Sequence, residues 1–185
     1  MKLNQGIRLI AIGFLFTIIN LNITTTSNTI NVTPDFIGWL LIAAGLTKMK
    51  EYTRRKPYYL GGAVLLTLIT IALWLTAIIF PKFDLRYYEV GASLITGLYI
   101  FILLGLLAKI AKDHGSRHAH NLRVLRYAYL IVYILFQAIE LTAIYLPLNV
   151  LSIITLIAGT AALVIAVATA IVLFKLSFDL EKEEE

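Results

Sequence analysis

The chain has 185 residues, 59% of them hydrophobic and only 15% charged, with a mean hydropathy of +0.85. A water-soluble domain carries about a quarter charged residues, so this chain has too little polar surface to cover itself in water and should be dissolved partly in lipid. The absence of cysteine excludes disulfides, thiolate metal ligands and cysteine nucleophiles. The net charge of +5 leaves nucleic acid and anionic lipid as possible partners until the basic residues are placed.

A membrane-crossing helix needs ~20 mostly apolar residues. Apolar runs bounded by charge predict an all-α polytopic membrane helix bundle with six transmembrane helices, at about 7–23, 35–49, 58–80, 89–111, 126–146 and 150–174, in a single domain. Lys2 and Arg8 ahead of the first run resemble the basic start of a signal peptide. The following TTTSNTINVT has no A-x-A cleavage pattern, so the run is read as a span. Gly13, Thr17, Asn20 and Thr24 give it a short polar stripe.

The second span opens on NVTPDFIGWL, residues 31–40. Thr33 is placed to cap the helix, Pro34 suits the first helical position, and Asp35 in the first turn favours the positive end of the dipole. Capping therefore accounts for the triplet. The run from Pro34 to Lys48 covers only ~21 Å of a ~30 Å hydrocarbon core. Even with Lys48 and Lys50 snorkelling, the helix start can lie below the outer surface, with Asp35 at the floor of a recess. Both readings of Asp35 stand at this stage.

The run INLNITTTSNTINVTPDFIGWLLIAAGL, residues 19–46, resembles a segment of small multi-span membrane proteins of Gram-positive bacteria, in which a polar loop leads into a P-D-F-I-G helix start. The resemblance implies a bacterial plasma membrane and draws attention to Asp35 and Gly38. It brings no activity with it.

The fourth span begins with Glu89, Ser93 and Thr96 on one face. The fifth carries a longer polar stripe: Arg126, Tyr129, Tyr133, Gln137 and Glu140 follow one another at helical spacing and should face the bundle, because lipid would not tolerate them. Glu140 lies ~10 Å below the outer end of its helix. Together these residues predict an outward-facing polar recess holding Glu140, Gln137 and Asn20, with Asp35 and Glu89 near its mouth. Its carboxylates would suit a cation, a proton or an amine-bearing ligand. The alternative is interhelical hydrogen bonding, at about 0.6–2 kcal/mol per bond. The sixth span presents Ser152, Thr155, Gly159, Ala162 and Ala166 at the spacing of a close helix-packing face. Residues 175–185 end the chain as a short acidic cytoplasmic tail that can touch the basic loops.

Alternating six spans places fourteen of the sixteen basic residues on one side, leaving only Lys82 and Arg86 on the other. The positive-inside rule makes that side, and both termini, cytoplasmic. The loops KMKEYTRRK (48–56) and KDHGSRHAHNLRVLR (112–126) then lie against anionic headgroups of the bilayer, which replaces nucleic acid as the expected partner. Aromatics near the span ends, such as Tyr58, Tyr88 and Tyr145, fit interfacial anchoring. Leu75–Ile78 recurs as Leu141–Ile144, and LIAAG, LITG and LIAG recur in the even helices, a weak hint of three two-helix repeats.

No cofactor or metal site is expected. The three histidines, His114, His118 and His120, share one basic loop expected to be solvated, and none lies in a span to hold a haem. The sequence lacks HExxH, G-x-x-x-x-G-K-[ST] and G-x-S-x-G. Three function classes remain: small-molecule or cation binding and transport through the recess, an accessory subunit that binds another membrane protein through the small-residue face of the sixth helix, and, last, a membrane enzyme.

Overall fold

The computed structural model describes residues 2–17, 22–24, 29–31, 35–53, 57–80, 86–142 and 147–183. Among these residues the chain is all-α apart from one small hairpin. Its helices are α1 (Lys2–Phe16), α2 (Asp35–Lys48), the single turn α3 (Lys50–Thr53), α4 (Tyr58–Ile79), α5 (Arg86–Asp113), α6 (His118–Thr142) and α7 (Leu148–Glu183). Among the described residues four segments are long and apolar enough to cross a membrane: Tyr58–Ile79, Val90–Asp113, His118–Ile139 and Asn149–Lys182. Little of their apolar surface is covered. Leu68, Ile79, Ile131, Leu156, Ile157 and Val164 are each more than half exposed. Apolar side chains facing outward all round the long helices require a hydrocarbon solvent, and the chain is a helical membrane bundle.

The other two expected spans correspond to α1 and α2, with 15 and 14 residues, or ~22 and ~21 Å of helix. Between them, where a polar loop was expected, strands β1 (Asn22–Thr24) and β2 (Thr29–Asn31) form an antiparallel pair with Asn22 opposite Asn31 and Thr24 opposite Thr29. The β-branched threonines and isoleucines stiffen this stretch against helix and favour the extended pairing. Residues 22 and 23, placed in the first span by hydropathy, belong to that strand.

The six larger helices close into a ring in chain order: α1 packs on α2, α2 on α4, α4 on α5, α5 on α6, α6 on α7, and α7 returns to α1. The α1–α2 seam is set by four glycines at a spacing of seven. A Cβ on Gly13 would stand 2.6 Å from the Gly38 carbonyl oxygen, and one on Gly38 would stand 2.7 Å from that of Gly13. Gly6 and Gly45 repeat the reciprocal arrangement two turns away, at 2.8 and 2.6 Å. The backbones touch, which only hydrogen at Cα permits. Large side chains fill the middle of the ring. Trp39 meets Tyr99 edge to face at 5.7 Å, and Phe14 meets Tyr129 at 6.3 Å. Tyr99 lies over Gly62 and donates its hydroxyl to the Tyr59 carbonyl at 2.6 Å, while Tyr133 lies over Gly97.

The link from α5 to α6 is much tighter than a solvated loop. Gly115 adopts φ +66°, and the amides of Gly115 and Ser116 return to the carbonyls of Lys112 and Ala111, which closes α5 in a Schellman motif. Ser116 Oγ then accepts from the His118 amide at 3.2 Å and starts α6 eight residues before the expected span. His118 is buried, and its Nε2 lies 3.2 Å from Asp179 Oδ2, close in charge terms but out of hydrogen-bond alignment.

The acidic end is also ordered. α7 runs as one helix through 36 residues, and its last turns bury Leu176, Ser177 and Leu180 against α1 and α6. Arg8 of α1 donates to Ser177 Oγ at 3.2 Å and to Glu181, and its guanidinium stacks 4.6 Å from the Phe178 ring centre. The start of α1 and the end of α7 therefore share one end of the ring, here the terminal end. Arg8→Met should cost about 1 kcal/mol, because both charges are partly exposed and screened. Thermal unfolding at low and high salt checks this: only the ion-pair part of the loss should shrink with salt.

Candidate functional site

α6 shows why its polar stripe faces inward. Tyr129 and Gln137 are buried, and Arg126 and Tyr133 are half-buried, whereas Val124, Tyr127, Ile131, Ile134 and Leu135 on the other faces are more than half exposed. In lipid the apolar face is the solvated one, so the helix rotates its polar line toward its neighbours.

Of the residues expected at the recess, Asp35 and Gln137 can be placed in detail. Asp35 begins α2 at the end of the ring remote from the termini, with Phe36 beside it packed on Trp74 of α4 at 5.6 Å. Its Oδ1 is buried and accepts no hydrogen bond from the described residues. Gln137 is 6% exposed, and its Oε1 likewise has no donor. Both sit about one turn beyond the aromatic layer at which α5 meets their helices, Asp35 past Trp39–Tyr99 and Gln137 past Gly97–Tyr133. They thus share a height on the far half of the ring. They do not share a principal helix contact, since α2 packs on α1 and α4 while α6 packs on α5 and α7. Glu140 falls on α6 three residues beyond Gln137, and Glu89 falls in the first turns of α5. Asn20 and the expected capping residues Thr33 and Pro34 lie outside the described residues. On α7, Ser152 and Thr155 are exposed, Gly159 and Ala162 half-buried, and Ala166 fully buried, so only the inner part of the small-residue face is used within this chain.

Sequence reasoning did not find a second feature, at the terminal end. A cavity of about 340 Å³ lies there, lined by Tyr52, Tyr59, Gly105, Lys109, Asp113 and Arg126 with apolar side chains of α5 between them. Lys109 had been assigned to topology alone, and Arg126 to topology and to the polar stripe of the fifth span. The signal that could have exposed the site is Gly105, one turn before Lys109, which leaves room for a large side chain from the next helix.

No family model matches this chain, and no curated protein or solved structure matches it. The functional reading therefore rests on the chemistry of the two ends of the ring. The far half holds two buried acceptors without donors. The terminal end holds a cavity with two cationic side chains.

Proposed function

We propose that the chain is a six-span protein of a bacterial plasma membrane, with both termini cytoplasmic, that binds or transports a cation or an amine-bearing solute through an outward polar recess at the far end of the ring. The observation that carries this reading is the pair of buried, donorless oxygens, Asp35 Oδ1 and Gln137 Oε1. An acceptor left unpaired away from water costs ~1–3 kcal/mol, and a ligand that brings donors or positive charge removes that cost. Glu140 and Glu89, residues of α6 and α5 that the sequence assigns to the recess, belong to the same proposed site.

The six-span count is supported by the hairpin. α1 contributes ~22 Å and the three residues of β1 a further ~10 Å, together about the thickness of the hydrocarbon core. Backbone of this kind at membrane depth must face protein or water, which agrees with a wet recess above α2. Anionic lipids at the basic loops are the expected surroundings of the terminal end.

The test is a thermal-shift panel of cations and amines on the purified protein across pH. The wild type should be stabilised by at least one of them, and Asp35→Asn with Glu140→Gln should lose that response. A protein indifferent to every probe at every pH, or reporter fusions that place the two termini on opposite faces, would overturn the reading. A second reading, an accessory subunit of a larger membrane complex, is favoured by the outer part of α7, where Ile153, Leu156 and Ile157 are at least 60% exposed around Ser152 and Thr155. It wins if bulky residues at Gly159 and Ala162 abolish function while the carboxylate variants leave it intact.

A further inference from the structure

The terminal-end cavity is independent of the recess, and its chemistry is opposite. Arg126 reaches it from α6. Its guanidinium lies 3.7 Å from the ring centre of Phe101, over the gap left by Gly105, where a Cβ would stand 3.0 Å from Nη1. Nε of Arg126 is buried without an acceptor. Among the described residues neither Arg126 nor Lys109 pairs with a carboxylate. Such a guanidinium is poorly compensated: the aromatic face offsets part of its desolvation, and the residue lines the cavity with its charge unpaired by any described carboxylate.

The remaining lining fits an anion with an apolar portion. Lys109 follows Gly105 by one turn of α5, so its ammonium enters from the same side as Arg126. Tyr59 comes from α4. Tyr52 comes from α3, with its hydroxyl 3.2 Å from His114 Nε2. Burial, and then the charges of Glu51 and Asp113, hold the Tyr52 phenol above its ordinary range, so it stays a neutral hydroxyl. Asp113 is exposed at the last residue of α5, ~12 Å along the helix from Gly105, too far to neutralise Arg126. Ile102, Leu106 and Ile110 give the same cavity an apolar wall. The charge carried by these groups is at the end of the ring where Lys48, Lys112 and Lys175 also gather, level with lipid headgroups in the six-span reading.

We propose that this cavity binds a phosphate ester, with the phosphate between Arg126 and Lys109 and the attached carbon chain along Ile102 and Leu106. A guanidinium fork with a neighbouring ammonium is the donor set that phosphate oxygens accept from. The phosphate can come from an anionic phospholipid or from a soluble phosphoester, and the experiment separates the two.

Purified full-length protein in a neutral detergent would be titrated with phosphatidylglycerol and, separately, with glycerol phosphate, following unfolding temperature and bound mass by native mass spectrometry. Saturable binding of phosphatidylglycerol alone assigns a lipid site, and saturable binding of glycerol phosphate assigns a soluble ester. In either case Lys109→Gln and Arg126→Gln should each weaken binding by about tenfold or more, the effect of losing one charge-assisted contact. Arg126→Lys should recover only part of the loss, because it keeps the charge without the fork. Lys175→Gln, an exposed cation of the same end outside the cavity, should change nothing. If Arg126→Gln does not fold, the exposed Lys109 variant carries the test by itself. Failure of both probes to bind, or an equal loss in the Lys175 variant, would overturn the proposal. Neither result bears on the donorless acceptors at the far end, so the two readings stand or fall separately.

Discussion

Gly13→Leu is expected to leave almost no folded protein, and Gly13→Ala to lose ~1–3 kcal/mol of stability. The reason is that the obstacle is backbone. A new Cβ at residue 13 meets the Gly38 carbonyl at 2.6 Å, and a carbonyl within a helix cannot swing aside as a side chain can. Relief requires the α1 and α2 axes to separate along the whole seam, because Gly6 and Gly45 hold the same spacing two turns away. Separation would also open the packing of Ile7, Ile10, Ile42 and Leu46, all fully buried. The comparison that isolates this effect is Gly61→Ala in α4. Nothing lies within 4 Å of a Cβ built there, so alanine should raise stability by up to about 1 kcal/mol through helix propensity. Yield of monodisperse protein and thermal unfolding in one detergent read both. Equal behaviour of the two variants would show that α1 and α2 are not in contact as described.

The second large effect concerns Gln137 and has an unusual sign. Replacing a buried, satisfied glutamine by leucine destabilises a protein. Replacing one whose acceptor has no donor removes a desolvation cost, so Gln137→Leu is expected to stabilise the ligand-free protein by ~1 kcal/mol. The same substitution should abolish the response to whichever cation or amine stabilises the wild type. Unfolding temperature with and without the probe measures both at once. A Gln137 that only joined helices would give the reverse pair of results: lower stability and an unchanged shift with the probe.

The hydrophobic pattern made the long helices legible because a span in lipid must be apolar over its whole length, and charge is then confined to its ends. The inward stripe of α6 was legible for a related reason, since Arg126, Tyr129, Tyr133 and Gln137 share one helical line and only one side of a membrane helix can be polar. The α1–α2 seam was hidden. Glycines spaced by seven have no hydropathy signal, and their meaning lies in the partner helix they touch. The ordered end of α7 was hidden as well. Residues 175–183 are rich in charge, and burial of Leu176, Ser177 and Leu180 depends on Arg8 and His118, which lie far away in sequence. The terminal cavity required four separate helices to be brought together, so no single stretch announced it. The hairpin between α1 and α2 was missed in a hydropathy reading because apolar Ile23 extended the first run, whereas backbone preference decided its conformation.

α7 is held unevenly along its length. From Ala166 to Leu180 it buries one residue in nearly every turn, yet among the described residues its first turns, from Asn149 to Thr160, bury none. A stiff rod clamped at one end behaves as a cantilever, so a tilt of about 10° at the clamp would carry a tip ~25 Å away through ~4 Å. The position of the first turns of α7 is therefore governed from the opposite end of the molecule, by the handful of groups around Arg8 that fix the angle at which the rod leaves its socket.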